Sequence, residues 1–411
     1  MRILIVSQYF WPENFRINDL VSALKERGHT ITVLTGLPNY PRGRFFEGYG
    51  LGRTGRDEFE GIPVFRVPIF PRFTGRSWQL ALNFASFALS SCLLAPFVCR
   101  SKYDIVFAFE PSPVTVALPA IVMRMLRRMP FIFWVQDLWP ESLSATGAVS
   151  SPWVLGLVRG LVRWIYRRSD RILVQSKGFI PRVVEVGADA ARVRYFPNWA
   201  ETLYVPMESV PSEIEASLPK GFRIVFAGNL GAAQSLGTIV AAAARLRDHS
   251  DIHWVILGDG REEAALRRLV ADAGVGKTVH LLGRKPVEAM PAYFAAADAL
   301  LVTLRADAIF ALTIPSKVQS YLACGRPVLA ALDGEGADVI REAGAGIAVA
   351  AGDDAALAEA ALHLYRLSPV ERAALGRNGR AYFERHFERE RLVSQLELWM
   401  KDAVAEGMCV S

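Results

Sequence analysis

Strand-like apolar runs alternate with helix-like periodic segments along almost the whole chain. RILIVSQ is a short β-branched run, and after YFWPENF an apolar-periodic segment predicts a helix from about Arg16 to Glu26. TITVLTG then reads as a second strand, so strand, helix and strand fall within about 35 residues, the opening of a parallel sheet. The unit recurs in YDIVFAF (Tyr103–Phe109), a helix over VTVALPAIVMRMLRR, the strand PFIFWVQD, a basic helix WVLGLVRGLVRWIYRR and the strand RILVQS. It lapses in the Pro-rich, polar stretch RYFPNWAETLYVPMESVPSEIEASLPKG, which places a domain boundary near residue 205. A second series follows, from FRIVFAGNL through HWVILGDG, TVHLLG, ALLVTL and VLAAL to GAGIAVA, with helices between its strands. Strands uninterrupted by charge belong to sheets covered on both faces. The expected fold class is therefore α/β, with two Rossmann-like doubly wound domains facing each other across a cleft. Ligands are expected at the C-terminal ends of the strands.

The length of 411 residues suits two such domains, and the last stretch, from about Pro369 to Val404, reads as helical and amphipathic. With 52% hydrophobic residues, the chain is apolar for a freely soluble protein, and one segment concentrates this character. Gln79–Val98 (QLALNFASFALSSCLLAPFV) carries no charge and is long enough to cross a bilayer. Its Ser and Asn residues and Pro96 weaken a spanning reading, and the next strand must return to the same sheet. A buried helix and an interfacial helix dipping into lipid stay open beside it. The helix Trp153–Arg168 favours the interface, with Arg159, Arg163 and Arg167 on one face and Leu, Val, Trp and Ile on the others.

Charge sharpens this picture. Up to residue 200 there are about 25 Lys and Arg against about 14 Asp and Glu, and the remainder is mildly acidic. The basic half points to an anionic partner such as phosphorylated lipid or a membrane surface. No Lys-rich run, zinc pattern or helix-turn-helix spacing supports nucleic acid. Cys92, Cys99 and Cys324 sit in apolar surroundings, and none of these, nor Cys409, has metal-ligand spacing, so buried thiols in a reducing cytosol are expected. Met1 runs straight into a strand-like segment, and no cleavable signal is read.

Candidate chemistry follows the strands. In FAGNLGAAQSLG, Gly228, Asn229 and Gln234 form a strand-to-helix turn whose backbone N–H groups can approach a phosphate. Arg284 and Lys285 in LLGRKP occupy the same topological position two units later. TIPSKVQSYLACGRPVLA predicts a short helix with Pro315 in its first turn and Thr313 and Ser316 as capping oxygens. Its positive end, with Lys317 beside it and Gln319 and Ser320 in the first two turns, suits an anion such as a diphosphate. Glu335 follows in a Gly-rich acidic loop. In the first half, QYFWPENFRIN, GLPNYPRGRF, FEPSP and VQDLWPES combine aromatic and polar residues, as sugar-recognising loops do. They supply Asn14, Phe15, Arg16, Asn39, Tyr40 and Glu110 as acceptor-side candidates. Asp137 or Glu141 can act as a base.

In this order, SQYFWPENFRINDL, FEPSPVTVALPA, WVQDLWPES, FAGNLGAAQSLG, LLGRKPVEAMP and TIPSKVQSYLACGRPVLAALDGEGA resemble glycosyltransferase family 4. Within it they resemble the WbuB-type fucosamine transferases of surface-polysaccharide synthesis. The resemblance implies a GT-B fold with domains 1–205 (acceptor side, membrane-facing) and 206–385 (nucleotide-sugar side), and a C-terminal helix, 386–411, crossing back to the first. It implies a retaining hexosyl transfer from a UDP-sugar to a polyprenyl-diphosphate-linked acceptor, without cofactor or metal, at the cytoplasmic face of the membrane.

The chain departs from the family at several motif positions. The Arg and Lys of the Gly-rich turn fall on Asn229 and Gln234, the Glu-x7-Glu pair on Ala311 and Gln319, and the first-domain histidine on Gln136. Lys317, with Arg284 or Lys285, is expected to restore positive charge beside the diphosphate, Gln319 to contact ribose, and Asp307 to replace the carboxylate lost at Ala311. Gln136, Asp137 and Lys317 are the catalytic candidates. The rival readings are a GT-B sugar-nucleotide epimerase and a non-catalytic partner subunit that binds nucleotide sugar or membrane.

Overall fold

The computed structural model describes residues 1–145 and 151–410, which form two compact units: Met1–Pro197 with Glu390–Ser411, and Asn198–Arg389. The first unit is built on eight strands: β1 (Arg2–Ser7), β2 (Thr30–Gly36), β3 (Gly55–Phe59), β4 (Ile62–Val67), β5 (Ile105–Glu110), β6 (Phe131–Val135), β7 (Arg171–Val174) and β8 (Val193–Tyr195). Their order is β3-β4-β2-β1-β5-β6-β7-β8, parallel throughout except that β3 runs against β4. The central strands β1, β5 and β6 are almost wholly buried, as their unbroken apolar runs require.

The second unit carries β9 (Phe222–Ala227), β10 (Ile252–Leu257), β11 (Val279–Gly283), β12 (Ala299–Thr303), β13 (Val328–Ala331) and β14 (Gly346–Val349). They form one sheet in the order β11-β10-β9-β12-β13-β14, with every pairing parallel. Alternate residues of β9 and β12 feed a core on each face. Val225, Leu300 and Val302 go to one, and Ile224, Phe226 and Leu301 to the other. The doubly wound α/β architecture expected from the pattern is present in both units.

Three differences are informative. The units divide at Pro197/Asn198, not at residue 205, because the connecting stretch packs with the second unit. Ala200 is buried there, and the Tyr204 ring stacks on Phe294 at 5.8 Å. The helical stretch expected from about Pro369 to Val404 resolves into two helices, Pro369–His386 and Arg389–Val410, and from Glu390 onward the chain belongs to the first unit. The β3–β4 hairpin escapes the pattern because GRDEF carries three consecutive charged residues on an edge strand, whose outer face needs no apolar cover. Cys92, Cys99 and Cys324 are free thiols, the last two buried, while the Cys409 side chain lies outside the described residues.

Candidate active site

In the second unit a cavity of about 730 Å³ opens at the C-terminal ends of β9, β10 and β11 and the helix Ser316–Ala323. Gly228 and Asn229 follow β9, Gly258 and Asp259 follow β10, and Arg284 and Lys285 follow β11. The glycines are needed for space. A Cβ on Gly228 (φ +144°) would lie 2.6 Å from Lys317 Cε, and one on Gly258 (φ +149°) would lie 1.9 Å from the Gly228 carbonyl oxygen. Backbone and lysine can therefore meet at one corner of the cavity.

Lys317 is the centre of this arrangement. It reaches the cavity from the first turn of its helix, its ammonium over the Phe226 ring at 3.7 Å from the centroid, and donates to Gln234 Oε1. The Gln234 backbone is held in turn, since its carbonyl accepts the Thr303 hydroxyl at 2.5 Å. Burial without a carboxylate partner pulls the Lys317 ammonium down to about 7. Arg284 and Lys285 add charge at the mouth, where Arg284 is 3.8 Å from Asp259. The opposite wall is apolar and aromatic, built from Tyr204, Val287, Met290 and Phe294. One wall thus suits an anion and the other a flat, weakly polar group.

Of the donor-side candidates, Gly228, Asn229, Gln234, Arg284, Lys285, Ser316, Lys317 and Ser320 line this cavity. Thr313, Gln319 and Glu335 do not. The Thr313 hydroxyl turns back to donate to the Phe310 carbonyl at 3.0 Å, so the helix starts on Pro315 with no side-chain cap. Gln319 is 1% exposed; its Nε2 donates to the Asn198 carbonyl at 2.7 Å, and its buried Oε1 has no partner among the described residues. The expectation of a ribose contact at Gln319 is therefore corrected: the side chain ties the helix to the start of its own unit. Glu335 opens the next helix, Glu335–Ala343, away from the cavity lining. Asp307, expected to replace the missing glutamate, is spent on its own loop, accepting from the Ile309 N–H at 2.9 Å and pairing with Arg305 at 3.4 Å. Sequence reasoning passed over Tyr204, Met290 and Phe294, whose signal is an aromatic in the connecting stretch before β9 and an apolar helix after LLGRKP.

In the first unit the candidates lie at the C-terminal ends of β1, β2, β5 and β6. Glu110 is fully buried, with its Oε2 accepting from the Asp137 N–H at 3.3 Å and its carbonyl from the Gln136 N–H at 3.0 Å. Burial, then the nearby Asp137, pushes its carboxyl well above the carboxylate range, so it is held neutral. Glu110 and Asn39 are corrected as acceptor contacts, because neither exposes any surface. Asn39 Oδ1 accepts from the Arg72 N–H at 3.1 Å and its Nδ2 donates to the Leu37 carbonyl at 3.0 Å. Both residues brace loops. Asp137 is half-buried, accepts from the Ser142 hydroxyl, and is raised by burial.

Phe15 stacks on Tyr9 at 5.1 Å and meets Tyr40 at 5.2 Å, while Asn14 is exposed and Arg16 half-buried at the helix start. Arg72, absent from the sequence-based candidates, lies over Tyr40 at 5.1 Å and donates to the Tyr9 hydroxyl at 3.0 Å. Glu13 secures this platform from beneath by accepting from the Asn39 and Tyr40 N–H groups, each at 2.7 Å, and burial raises its carboxyl to about 7.

Residues 14–199 match the description "Glycosyl transferase 4-like domain", and residues 221–366 match "Glycosyl transferases group 1". The chain belongs to these glycosyltransferases. Among curated relatives, the transferase is 26% identical to the putative colanic acid biosynthesis glycosyl transferase WcaI of Escherichia coli K12, over 79% of this chain and 82% of that one. It is 27% identical to the probable glycosyltransferase WbjE of Pseudomonas aeruginosa, over 76% and 80%. Among solved structures, Anabaena HepE in complex with UDP superposes with a TM-score of 0.72 at 16% identity, covering 98% of this chain and all of that one. WaaG, a glycosyltransferase involved in lipopolysaccharide biosynthesis, gives 0.63 at 16% identity over 93% and 95%. The transferase has the GT-B fold.

Proposed function

We propose that this glycosyltransferase moves an N-acetylated hexosamine, N-acetylfucosamine or a close analogue, from a UDP-sugar to a polyprenyl-diphosphate-linked acceptor. The transfer retains configuration, needs no metal, serves O-antigen, capsule or exopolysaccharide synthesis as in the WbuB-type enzymes, and takes place at the cytoplasmic membrane face. One observation carries the donor reading: a half-buried lysine beside a glycine turn with no carboxylate to neutralise it. An anion supplies the missing counter-charge, and a diphosphate also reaches the helix start at Ser316 and the cations Arg284 and Lys285. The aromatic wall formed by Tyr204 and Phe294 suits a base. HepE was solved with UDP, which supports uracil as that base.

In this reading the family's lysine is relocated, not lost. Gln234 stands at its position in the Gly-rich turn and receives, through Oε1, the ammonium that Lys317 delivers from a different helix. As the glycosidic bond to the diphosphate breaks, charge grows on the leaving oxygen, and a preorganised ammonium and helix end stabilise it there. On the acceptor side, Asp137 is a half-buried carboxylate next to Gln136, while the neutral Glu110 fixes the loop that carries both. With no other nucleophile assigned, departure and attack on the same face of the sugar is the mechanism proposed.

Purified protein incubated with UDP- and GDP-sugars and polyprenyl-diphosphate saccharides, followed by mass measurement of the lipid product, tests this. A lipid heavier by one N-acetylhexosamine or N-acetyl-6-deoxyhexosamine residue, with UDP released, is the expected result. Nucleotide binding without turnover on any donor would convert the protein to a binding subunit, and an altered sugar nucleotide without transfer to an epimerase.

A further inference from the structure

The helix Ser77–Val98 is turned inside out. Its polar side chains face the protein: Gln79 accepts from the Thr74 hydroxyl at 2.8 Å, and Asn83 accepts from Gln8 Nε2 at 2.7 Å and donates to the Phe70 carbonyl at 2.5 Å. Ser86 accepts from the Phe70 N–H at 2.8 Å, and Ser90 donates to the Pro68 carbonyl at 2.8 Å. Of its large apolar side chains Phe87 is buried, but most of the others face outward. Trp78, Leu82, Leu89, Leu93 and Phe97 follow one another at helical spacing with exposures of 45–65%, and Ala85 fills the gap between them. Soluble helices show the opposite polarity, apolar towards the core and polar towards water. A stripe of this kind runs for about 29 Å along the helix.

We infer that this stripe is the transferase's docking face for an anionic lipid surface, on which the helix lies flat with its apolar side among the acyl chains. Charge complementarity selects lipid over a second copy of the chain. Between Glu60 and Asp104 there is no acidic residue, and Arg76 precedes the stripe while Arg100 and Lys102 follow it, all exposed. Arg127, reaching the Pro96 carbonyl at 3.5 Å, brings a neighbouring helix end with exposed Arg128, Met125 and Leu126 to the same place. Asp104, the nearest carboxylate in sequence, is occupied by Arg2 at 2.6 Å. Apolar insertion between basic flanks is how interfacial helices bind anionic leaflets. Although this helix is long and apolar enough to cross a bilayer, its hydrogen bonds to Gln8, Pro68 and Phe70 hold its inner side against the sheet's own loops, which a spanning position would strip. The inference deepens the lipid-linked acceptor reading by naming the surface that meets the membrane.

The test is co-sedimentation of the full chain with phosphatidylcholine vesicles, with and without phosphatidylglycerol, in the absence of any sugar acceptor. Binding that requires phosphatidylglycerol is expected. In the Leu89→Gln/Leu93→Gln/Phe97→Gln variant it should weaken at least about tenfold, with an unchanged Tm. Unchanged binding in the variant, or none in the native chain, overturns the inference. So does a fall in Tm, which would return these side chains to the protein's own core. Dimerisation without vesicles that the variant abolishes would give the face to a second copy. UDP release from the donor in detergent, expected to be equal in both proteins, reports on the transferase reading separately.

Discussion

Lys317 shows how one side chain can carry both a cost and a function. Burial has brought its ammonium down to about 7, so near neutral pH the empty site holds a mixture of charged and neutral amine. An anion stabilises the charged form and draws in a proton, so nucleotide affinity should fall as pH rises from 6 to 9, read by calorimetry in buffers of different ionisation heat. Lys317→Met should weaken UDP binding by about tenfold or more and flatten that pH profile. The same change should stabilise the empty protein. Between the folded value near 7 and the unfolded lysine value the unfolded chain binds more protons, so native stability climbs with pH there. The gain from Lys317→Met should thus be largest below pH 7 and shrink above it, as measured by Tm across pH. The existence of a lysine beside a helix start was legible in PSK. Its partner Gln234 was not, because the two are 83 positions apart and only the closed sheet brings them together.

At the scale of elements, the short helix Ser316–Ala323 corrects an assumption carried over from the family motif. A glutamine in the place of a family glutamate looks like a ribose contact in sequence, yet the helix rotates Gln319 inward to Asn198 and presents Ser316, Lys317 and Ser320 to the cavity. Restoring the family residue by Gln319→Glu should therefore leave UDP affinity unimproved. It should cost about 2 kcal/mol or more at neutral pH, because a buried carboxyl with no cation beside it must stay protonated. Since the folded state would hold that proton more tightly than the unfolded one, the loss should grow as pH rises above the ordinary carboxylate range, a trend that urea unfolding at several pH values would reveal.

Strand and helix periodicities located β1, β2 and the first helix almost to the residue. The inward or outward choice at Gln319, Asn39 and Glu110 was hidden, because periodicity gives a face and not what lies against it. The same limit applies to Ser77–Val98. Apolar all round in sequence, it shows its inverted polarity only once Gln8 and Phe70 are placed against Asn83.

At the scale of the molecule, the first unit is assembled from both ends of the chain. Arg27 pairs with Glu390 at 2.7 Å and with Glu397 at 2.8 Å, His29 meets Glu397 at 2.6 Å, and Arg171 meets Glu406. Val393, Leu396 and Met400 are buried in the same helix. A chain ending at residue 389 should leave that apolar and charged surface uncovered and lower the first unfolding transition seen by calorimetry, while the transition of Asn198–Arg389 stays in place. During synthesis, this connectivity fixes an order of events. The stretch Asn198–Arg389 can complete its fold as it leaves the ribosome, whereas the unit that holds Met1–Pro197 waits with an open flank until the helix Arg389–Val410 has been made. Through that interval the cell holds a half-closed intermediate, and a nonsense mutation anywhere in the final helix would leave it in that form.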